Sequence, residues 1–255
     1  MYYKSIGEMV DGAAKTVLAH GQKGSIGYWQ GVDKFVDDPI KEMANLYMVC
    51  PMIESQSELK SQTKSDHPWA EDHFQERINP KNHKEALNPG YSYRYWPYAK
   101  FKDDGDDFVR LQKNFSHTYM ERFWPKKKKG IRFDMGNWEM FVENARKSPK
   151  SRQLFFPIFY PEDTKASNLG ERVPCTLGYH FQVFHGYLHL SYFIRSCDLH
   201  KHFRNDIYFT NRLAQELKAQ VPEYKNLPLG NLNIWVGNLH CFLNDEFKVK
   251  KWINK

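Results

Sequence analysis

The sequence predicts an α+β fold, a mixed sheet covered by helices and built as one domain over residues 1–255. Three observations carry this expectation. The C-terminal half holds strand-like runs at residues 176–184, 188–194 and 232–236, with a helix of about three turns, residues 207–217, between the last two. Strands interleaved with helices point to a sheet with helices packed on it. A hydrophobic content of 41% and an aromatic content of 16% give a chain of 255 residues enough apolar surface for a full core, which excludes a disordered protein.

In chain order, residues 6–19 read as a helix, Gly21-Gln22-Lys23-Gly24 as a loop, and the aromatic residues 26–35 as a strand. Residues 39–45 open a second regular segment that runs into the apolar residues 46–52. Residues 54–64 are polar and expected at the surface. Residues 69–77 read as a helix, and Asn88-Pro89-Gly90 marks a turn. Residues 91–98 are densely aromatic, and residues 101–107 read as an acidic loop. A helix follows at 135–145, then a loop at 147–150. Residues 154–160 read as a strand, in which Pro157 indicates an edge or a bulge. There is no internal repeat.

No apolar run approaches the length of a membrane span, and Met1-Tyr2-Tyr3-Lys4-Ser5 lacks the apolar core of a signal peptide. The four cysteines, Cys50, Cys175, Cys197 and Cys241, show no CxxC spacing. Neither a disulfide scaffold nor a structural zinc site is expected, and a reduced, cytoplasmic protein without a metal is. The net charge of +7 points to an anionic partner, either nucleic acid or a phosphorylated small molecule. Part of the excess, Lys126-Lys127-Lys128-Lys129, reads as a solvated surface turn.

The chemistry concentrates in the C-terminal half. Arg195-Ser196-Cys197-Asp198 follows an apolar run, so a strand end presents a guanidinium and a hydroxyl together, which suits a phosphate. Asp206 falls early in the next helix, either as a cap or as a carboxylate reading a small polar group. Cys175 follows Pro174 at the head of a strand. It is either a packing thiol or, near Arg195 and Arg152, a thiolate whose pKa positive charge lowers. Cys50 and Cys197 read as packing residues. His240, in Gly237-Asn238-Leu239-His240, stands just after a strand as a structural or a catalytic histidine. Tyr91, Tyr93, Tyr95, Trp96 and Tyr98 form either a stacking platform or part of the core.

Together these segments resemble the thymidylate synthase superfamily, and within it the bacteriophage deoxycytidylate hydroxymethylases. The resemblance is strong over residues 173–247, followable through 91–96 and 148–153, and faint before that. Pro174-Cys175 matches the family's nucleophile motif, Arg195-Ser196-Cys197-Asp198 its phosphate and folate motif, and Gly237-Asn238-Leu239-His240 its ribose-binding turn. Tyr91 to Trp96 resembles the segment that lines the cleft. Ser148-Pro149-Lys150-Ser151-Arg152 resembles the loop whose arginine reaches the partner's nucleotide phosphate.

The resemblance implies a thymidylate synthase-like fold, a nucleoside monophosphate substrate, 5,10-methylene-tetrahydrofolate as cofactor, and a homodimer. It implies roles too. Cys175 is the nucleophile. Arg195, Ser196, a partner-chain Arg152 and Lys23 hold phosphate, and His240 touches the ribose. Asp198, Trp69 and Trp96 face the folate. Tyr91 lines the reacting centre, and Glu42, with Glu58 as second choice, handles protons.

Three departures from a synthase point to cytidylate. Synthases carry Asn where this chain has Asp206, and the phage enzymes share the replacement. A carboxylate accepts from cytosine's 4-amino group, where uracil offers a carbonyl. Thr176 follows the nucleophile in place of His. Only fifteen residues follow His240, so the synthase tail that closes over the folate is expected to be absent, which suits a reaction finished by water. Two further departures concern binding: Phe242 stands where a ribose-contacting Tyr is usual, and Gln153 replaces the second cross-dimer arginine. The expectation is a cytidylate (dCMP or CMP) C5 hydroxymethylase. The alternatives are a uridylate enzyme of the same family and a non-catalytic member that binds nucleotide or nucleic acid.

Overall fold

The computed structural model describes residues 1–25, 39–79, 101–104, 107–110, 119–124, 137–169 and 173–253. The first helix, α1 (Ile6–His20), forms as expected. Ser5 caps it by accepting the Glu8 N–H, and Ile6, Met9, Val10, Ala13, Ala14 and Val17 bury one face at helical spacing. The segment read as a loop at 21–24 is instead mostly a strand, β1 (Gln22–Ser25), paired antiparallel to β2 (Pro39–Pro51). β1 is polar and mostly exposed, so it carries no hydrophobic alternation. Backbone pairing with β2 makes it a strand, and its polarity suits a sheet edge.

The polar residues after β2 fold as α2 (Gln56–Thr63), capped by Ser55, with Leu59 and Thr63 buried, Gln62 half-buried and the others exposed. Helix α3 (Trp69–Ile78) buries His73, Glu76 and Arg77 as well as Ala70, Phe74 and Ile78. The expected acidic loop near 101–107 contains an antiparallel pair, β3 (Phe101–Asp104) and β4 (Asp107–Arg110). Cross-strand backbone bonds decide this, a signal that charge composition hides. Helix α4 (Tyr119–Phe123) follows, then α5 (Trp138–Lys147), which Asn137 caps.

Strand β5 (Phe155–Pro157) lies at the outer edge of the sheet, where Pro157 is tolerated. After α6 (Glu162–Asn168), the strands β6 (Thr176–Phe184) and β7 (Tyr187–Ile194) form a hairpin, with His185 and Gly186 at φ of 48° and 79° in its turn. The short β8 (Cys197–Asp198) leads into a π-helical turn, Leu199–Phe203, and then α7 (Arg204–Gln220). The last strand, β9 (Leu229–Phe242), is much longer than the expected 232–236. Gly237 and Asn238, read as a turn, lie inside it. β9 is central, so pairing with β2 on one side and β7 and β8 on the other overrides their local preference. Helix α8 (Glu246–Ile253) closes the described chain.

The main sheet has the order β1-β2-β9-β7-β6-β5, with β8 added to β9. It is mixed: β7 and β8 run parallel to β9, and the other neighbours are antiparallel. The predicted α+β architecture is therefore the observed one. Helices α1 and α7 cover one face. There Leu188, Leu190, Tyr192 and Ile194 alternate inward along β7, each 2% exposed or less. Burial of such a side chain stabilises by about 1.5–3 kcal/mol, so this face is the main source of the fold's stability. The opposite face leaves Phe193, Trp235 and Ser191 half-buried, and Tyr47, Phe155 and Phe184 exposed. Among the described residues no helix is long and apolar enough to cross a membrane, and all four cysteines are free thiols.

Candidate active site

Cys175 stands immediately before β6, half-buried. Arg195, leaving the end of β7, grips the segment in front of it. The Arg195 backbone N–H donates to the Cys175 carbonyl at 2.9 Å, Nε to the Pro174 carbonyl at 3.0 Å, and Nη2 to the Val173 carbonyl at 3.0 Å. Nη1 has no protein partner among the described residues and is left for an anion.

A bulge follows the cysteine between Thr176 and Gly178, where the Leu177 carbonyl accepts from both Ile158 and Phe159. Two glycines permit the close packing here. A Cβ at Gly178 would lie 2.8 Å from the Phe156 carbonyl oxygen, and one at Gly237 would lie 2.7 Å from the Arg195 carbonyl oxygen. Gly237 thus serves strand-to-strand approach, not a turn.

Thr176 is buried, and its hydroxyl lies 3.0 Å from the Tyr192 hydroxyl on the neighbouring strand. The residue after the cysteine therefore ties β6 to β7. Its backbone N–H points to the Tyr119 hydroxyl at 3.4 Å. Burial raises the Tyr119 phenol to about 12, helped by the charges of Cys175 and Asp206 and opposed by Arg77, so this tyrosine sits among all three. Sequence reasoning missed Tyr119, because a single tyrosine on a five-residue helix offers no pattern.

Asp206 occupies the first turn of α7 without capping it. The cap belongs to Asp198, whose Oδ1 accepts the N–H groups of His200 at 2.9 Å and Lys201 at 3.0 Å as the π-helical turn begins. Burial raises the Asp198 carboxyl, but His202, His240 and the backbone bond outweigh it and hold it below the usual range. The structure places Asp198, the residue expected against the folate, at this turn, where it is 5% exposed. Asp206 is thereby free for other work. Burial pushes its carboxyl up to about 6, opposed by the Arg77 charge and by the Cys197 thiol, which donates to Oδ2 at 3.6 Å. Oδ1 has no protein partner among the described residues. Cys197 itself is buried, and burial holds its thiol well above the usual value.

His240 lies within β9, opposite Glu42 on β2 and Asp198 on β8. Asn238 Nδ2 donates to Glu42 Oε2 at 2.6 Å, so Asn238 Oδ1 faces His240 Nδ1, 3.1 Å away. Burial lowers the His240 pKa, with Asp198 and Glu42 opposing. The neutral ring donates from Nδ1 and leaves Nε2 as an acceptor. The structure thus attaches Glu42 to the histidine side of the site. Glu58 is exposed on α2 and accepts from Gln62 at 2.8 Å. Phe242 is buried edge-on to His240, at 5.8 Å between ring centres. Ser196 is half-buried between Arg195 and β8. Lys23 is exposed on the edge strand β1, opposite Lys41.

Helix α3 contributes a ladder that sequence reasoning also missed beyond its first rung. Trp69, His73 and Arg77 repeat every fourth residue. The Trp69 and His73 rings stack at 4.9 Å, and Arg77 Nη2 lies 2.9 Å from His73 Nε2. Trp69 also lines a cavity of about 320 Å³ together with Asp66, His200, Lys201, His202, Arg204 and Asn205. Arg152 is exposed beside β5, and its guanidinium has no protein partner among the described residues; only its carbonyl is engaged, by His180. Gln153 is exposed next to it. Tyr91 and Trp96, the rest of the aromatic segment and the lysine run lie outside the described residues.

This arrangement, a half-buried cysteine at a strand head with an arginine gripping its approach, sits on a sheet of known type. The chain is similar in fold to thermostable thymidylate synthase A from Bacillus subtilis, with a TM-score of 0.64 over 99% of this chain and 85% of that one. The two share 13% sequence identity, and the likeness is one of fold. No curated protein sequence matches the chain. The family model described as Thymidylate synthase matches residues 60–255. The chain belongs to the thymidylate synthase family, whose members are one-carbon transferases.

Proposed function

We propose that this protein is a cytidylate C5 hydroxymethylase, converting dCMP or CMP to its 5-hydroxymethyl derivative. The observation that carries the reading is Asp206: a carboxylate in the site region, with Oδ1 open, where the resemblance puts an asparagine in synthases. An ionised carboxylate only accepts hydrogen bonds, which suits the 4-amino group of cytosine and opposes the carbonyl of uracil. The hydroxymethyl outcome rests on the resemblance to the phage enzymes.

In this reading Cys175, as thiolate, adds to pyrimidine C6 and makes C5 nucleophilic. The clamp from Arg195 aims the cysteine by holding its approach at three carbonyls, while Nη1 and the Ser196 hydroxyl meet the phosphate. His240 Nε2 accepts from a ribose hydroxyl, oriented through Asn238 by Glu42. Tyr119, whose hydroxyl lies 3.4 Å from the Thr176 nitrogen beside Cys175, would handle the proton at C5.

5,10-methylene-tetrahydrofolate supplies the one-carbon unit at the oxidation level of formaldehyde. The residues on that side would hold it: the half-buried Trp69 indole offers an aromatic wall in the cavity beside the Asp198-capped turn, where Lys201, ion-paired with Asp245, and Arg204, ion-paired with Asp66, add positive charge. Arg152 acts across a homodimer, a reading supported by its exposed guanidinium, without a partner among the described residues, and by the exposed Tyr47, Phe155 and Phe184 on one face of the sheet. Lys23 is the remaining phosphate candidate.

Tritium release from 5-labelled dCMP, CMP and dUMP tests the reading. Turnover of a cytidylate is expected, and Asp206→Asn is expected to shift preference toward dUMP. Turnover of dUMP alone by the wild type would overturn it.

A further inference from the structure

We propose that Arg77 is a positioning residue for this site, the buried fixed cation that keeps Asp206 in the acceptor state a pyrimidine 4-amino group requires. The inference rests on the cytidylate reading and adds a residue that neither the sequence motifs nor the family match assigns.

Arg77 is 3% exposed, on the face of α3 turned toward α7. Its guanidinium carbon lies 4.2 Å from the centre of the Tyr119 ring and 4.4 Å from that of Phe209. Phe209 stands three residues after Asp206 on α7, hence on the same side of the helix. Tyr119 reaches from Arg77 to the Thr176 N–H beside Cys175. Among the described residues no carboxylate lies within ion-pair distance of Arg77, and its buried Nε has no hydrogen-bond partner. A guanidinium this dry without a salt bridge is costly to the fold unless its charge serves something nearby.

The nearby group is Asp206. The other titratable groups around it cannot supply a positive charge: Tyr119 from α4, Tyr179 from β6, Tyr192 from β7, Cys197 from β8, and Cys175. Nor can His73. Burial and the Arg77 charge hold its pKa well below 6.5, and a neutral Nε2 is what accepts from Nη2. Arg77 is thus the one cation that acts on Asp206 among the described residues, and it offsets part of the effect of burial. Two aromatic faces and one histidine fix it in place, so the charge is set by packing and not by solvent.

The test is the Asp206 carboxyl itself, followed by 13C NMR of Asp-labelled full-length protein and assigned with Asp206→Asn. In the wild type the carboxyl is expected to titrate near 6. In Arg77→Met the midpoint is expected to rise by about one unit or more, and in Arg77→Lys to stay close to wild type. The acid limb of dCMP turnover is expected to follow the same midpoints.

A folded Arg77→Met protein with an unmoved Asp206 titration overturns the inference. So does a wild-type carboxyl that titrates well above neutrality, which needs no variant to fold. If the carboxyl follows Arg77 but no cytidylate is turned over, the functional reading fails and the charge coupling stands. If cytidylate is turned over and the carboxyl ignores Arg77, only this inference fails.

Discussion

Replacing Asp206 by Asn is expected to make the protein more stable at neutral pH, while impairing its choice of base. The Asp206 carboxyl is raised from 3.8, its ordinary value, to about 6, chiefly by burial. Between those values the folded protein binds more protons than the unfolded chain, so stability falls as pH rises through that window and levels off above it. Two pH units correspond to about 3 kcal/mol, an upper bound because the residue is only partly covered. Asparagine keeps the shape and an oxygen to accept from Cys197, and it has no charge to desolvate. At pH 7.5 the variant should gain about 2–3 kcal/mol, and at pH 4 the gain should nearly vanish. Urea denaturation of both proteins from pH 4 to pH 8, at one protein concentration, measures the difference. A gain that does not change with pH would show that Asp206 is not a carboxylate held ionised against burial. A cost to stability that disappears with the acid is what a functional site predicts, since function and not the fold accounts for the charge.

Other outcomes follow from the same geometry. Thr176→Val should cost about 1–3 kcal/mol in chemical denaturation, because it leaves the buried Tyr192 hydroxyl without its partner. Arg195→Lys should lower kcat by at least ~10-fold with the fold intact by circular dichroism, since one ammonium cannot grip the Pro174 and Val173 carbonyls together. Mixing inactive Cys175→Ala and Arg152→Ala chains should restore activity if Arg152 serves the partner's site, and no recovery after subunit exchange would remove that role.

Legibility in the sequence followed the strength of local pattern. Strands β6 and β7 alternate apolar and polar residues, and their bounds fell within a residue of those expected. Strand β1 has no such alternation, and only its partner β2 makes it visible. The extent of β9 was hidden by Gly237 and Asn238, whose turn preference yields to pairing on both sides.

The site divides in the same way. Cys175, Arg195 and His240 stand in compact motifs near strand ends, where a linear reading finds them. Asp206 was legible by position but ambiguous in role, and the ambiguity resolves only once Asp198 is seen to cap the turn. Tyr119 and Arg77 come from separate helices and meet the site through packing alone. For Arg77 a faint signal existed, a histidine and an arginine four residues apart on a helix that also carries the apolar row Ala70, Phe74 and Ile78.

The central claim is that Cys175 attacks a cytosine ring held by Asp206. Mass spectrometry of the protein incubated with methylene-tetrahydrofolate and either 5-fluoro-dCMP or 5-fluoro-dUMP tests it most directly. The account predicts a covalent adduct on Cys175 that contains the cytosine nucleotide, absent in Cys175→Ala and weakened relative to the uracil adduct in Asp206→Asn. An adduct with 5-fluoro-dUMP alone, or none with either nucleotide, would contradict it.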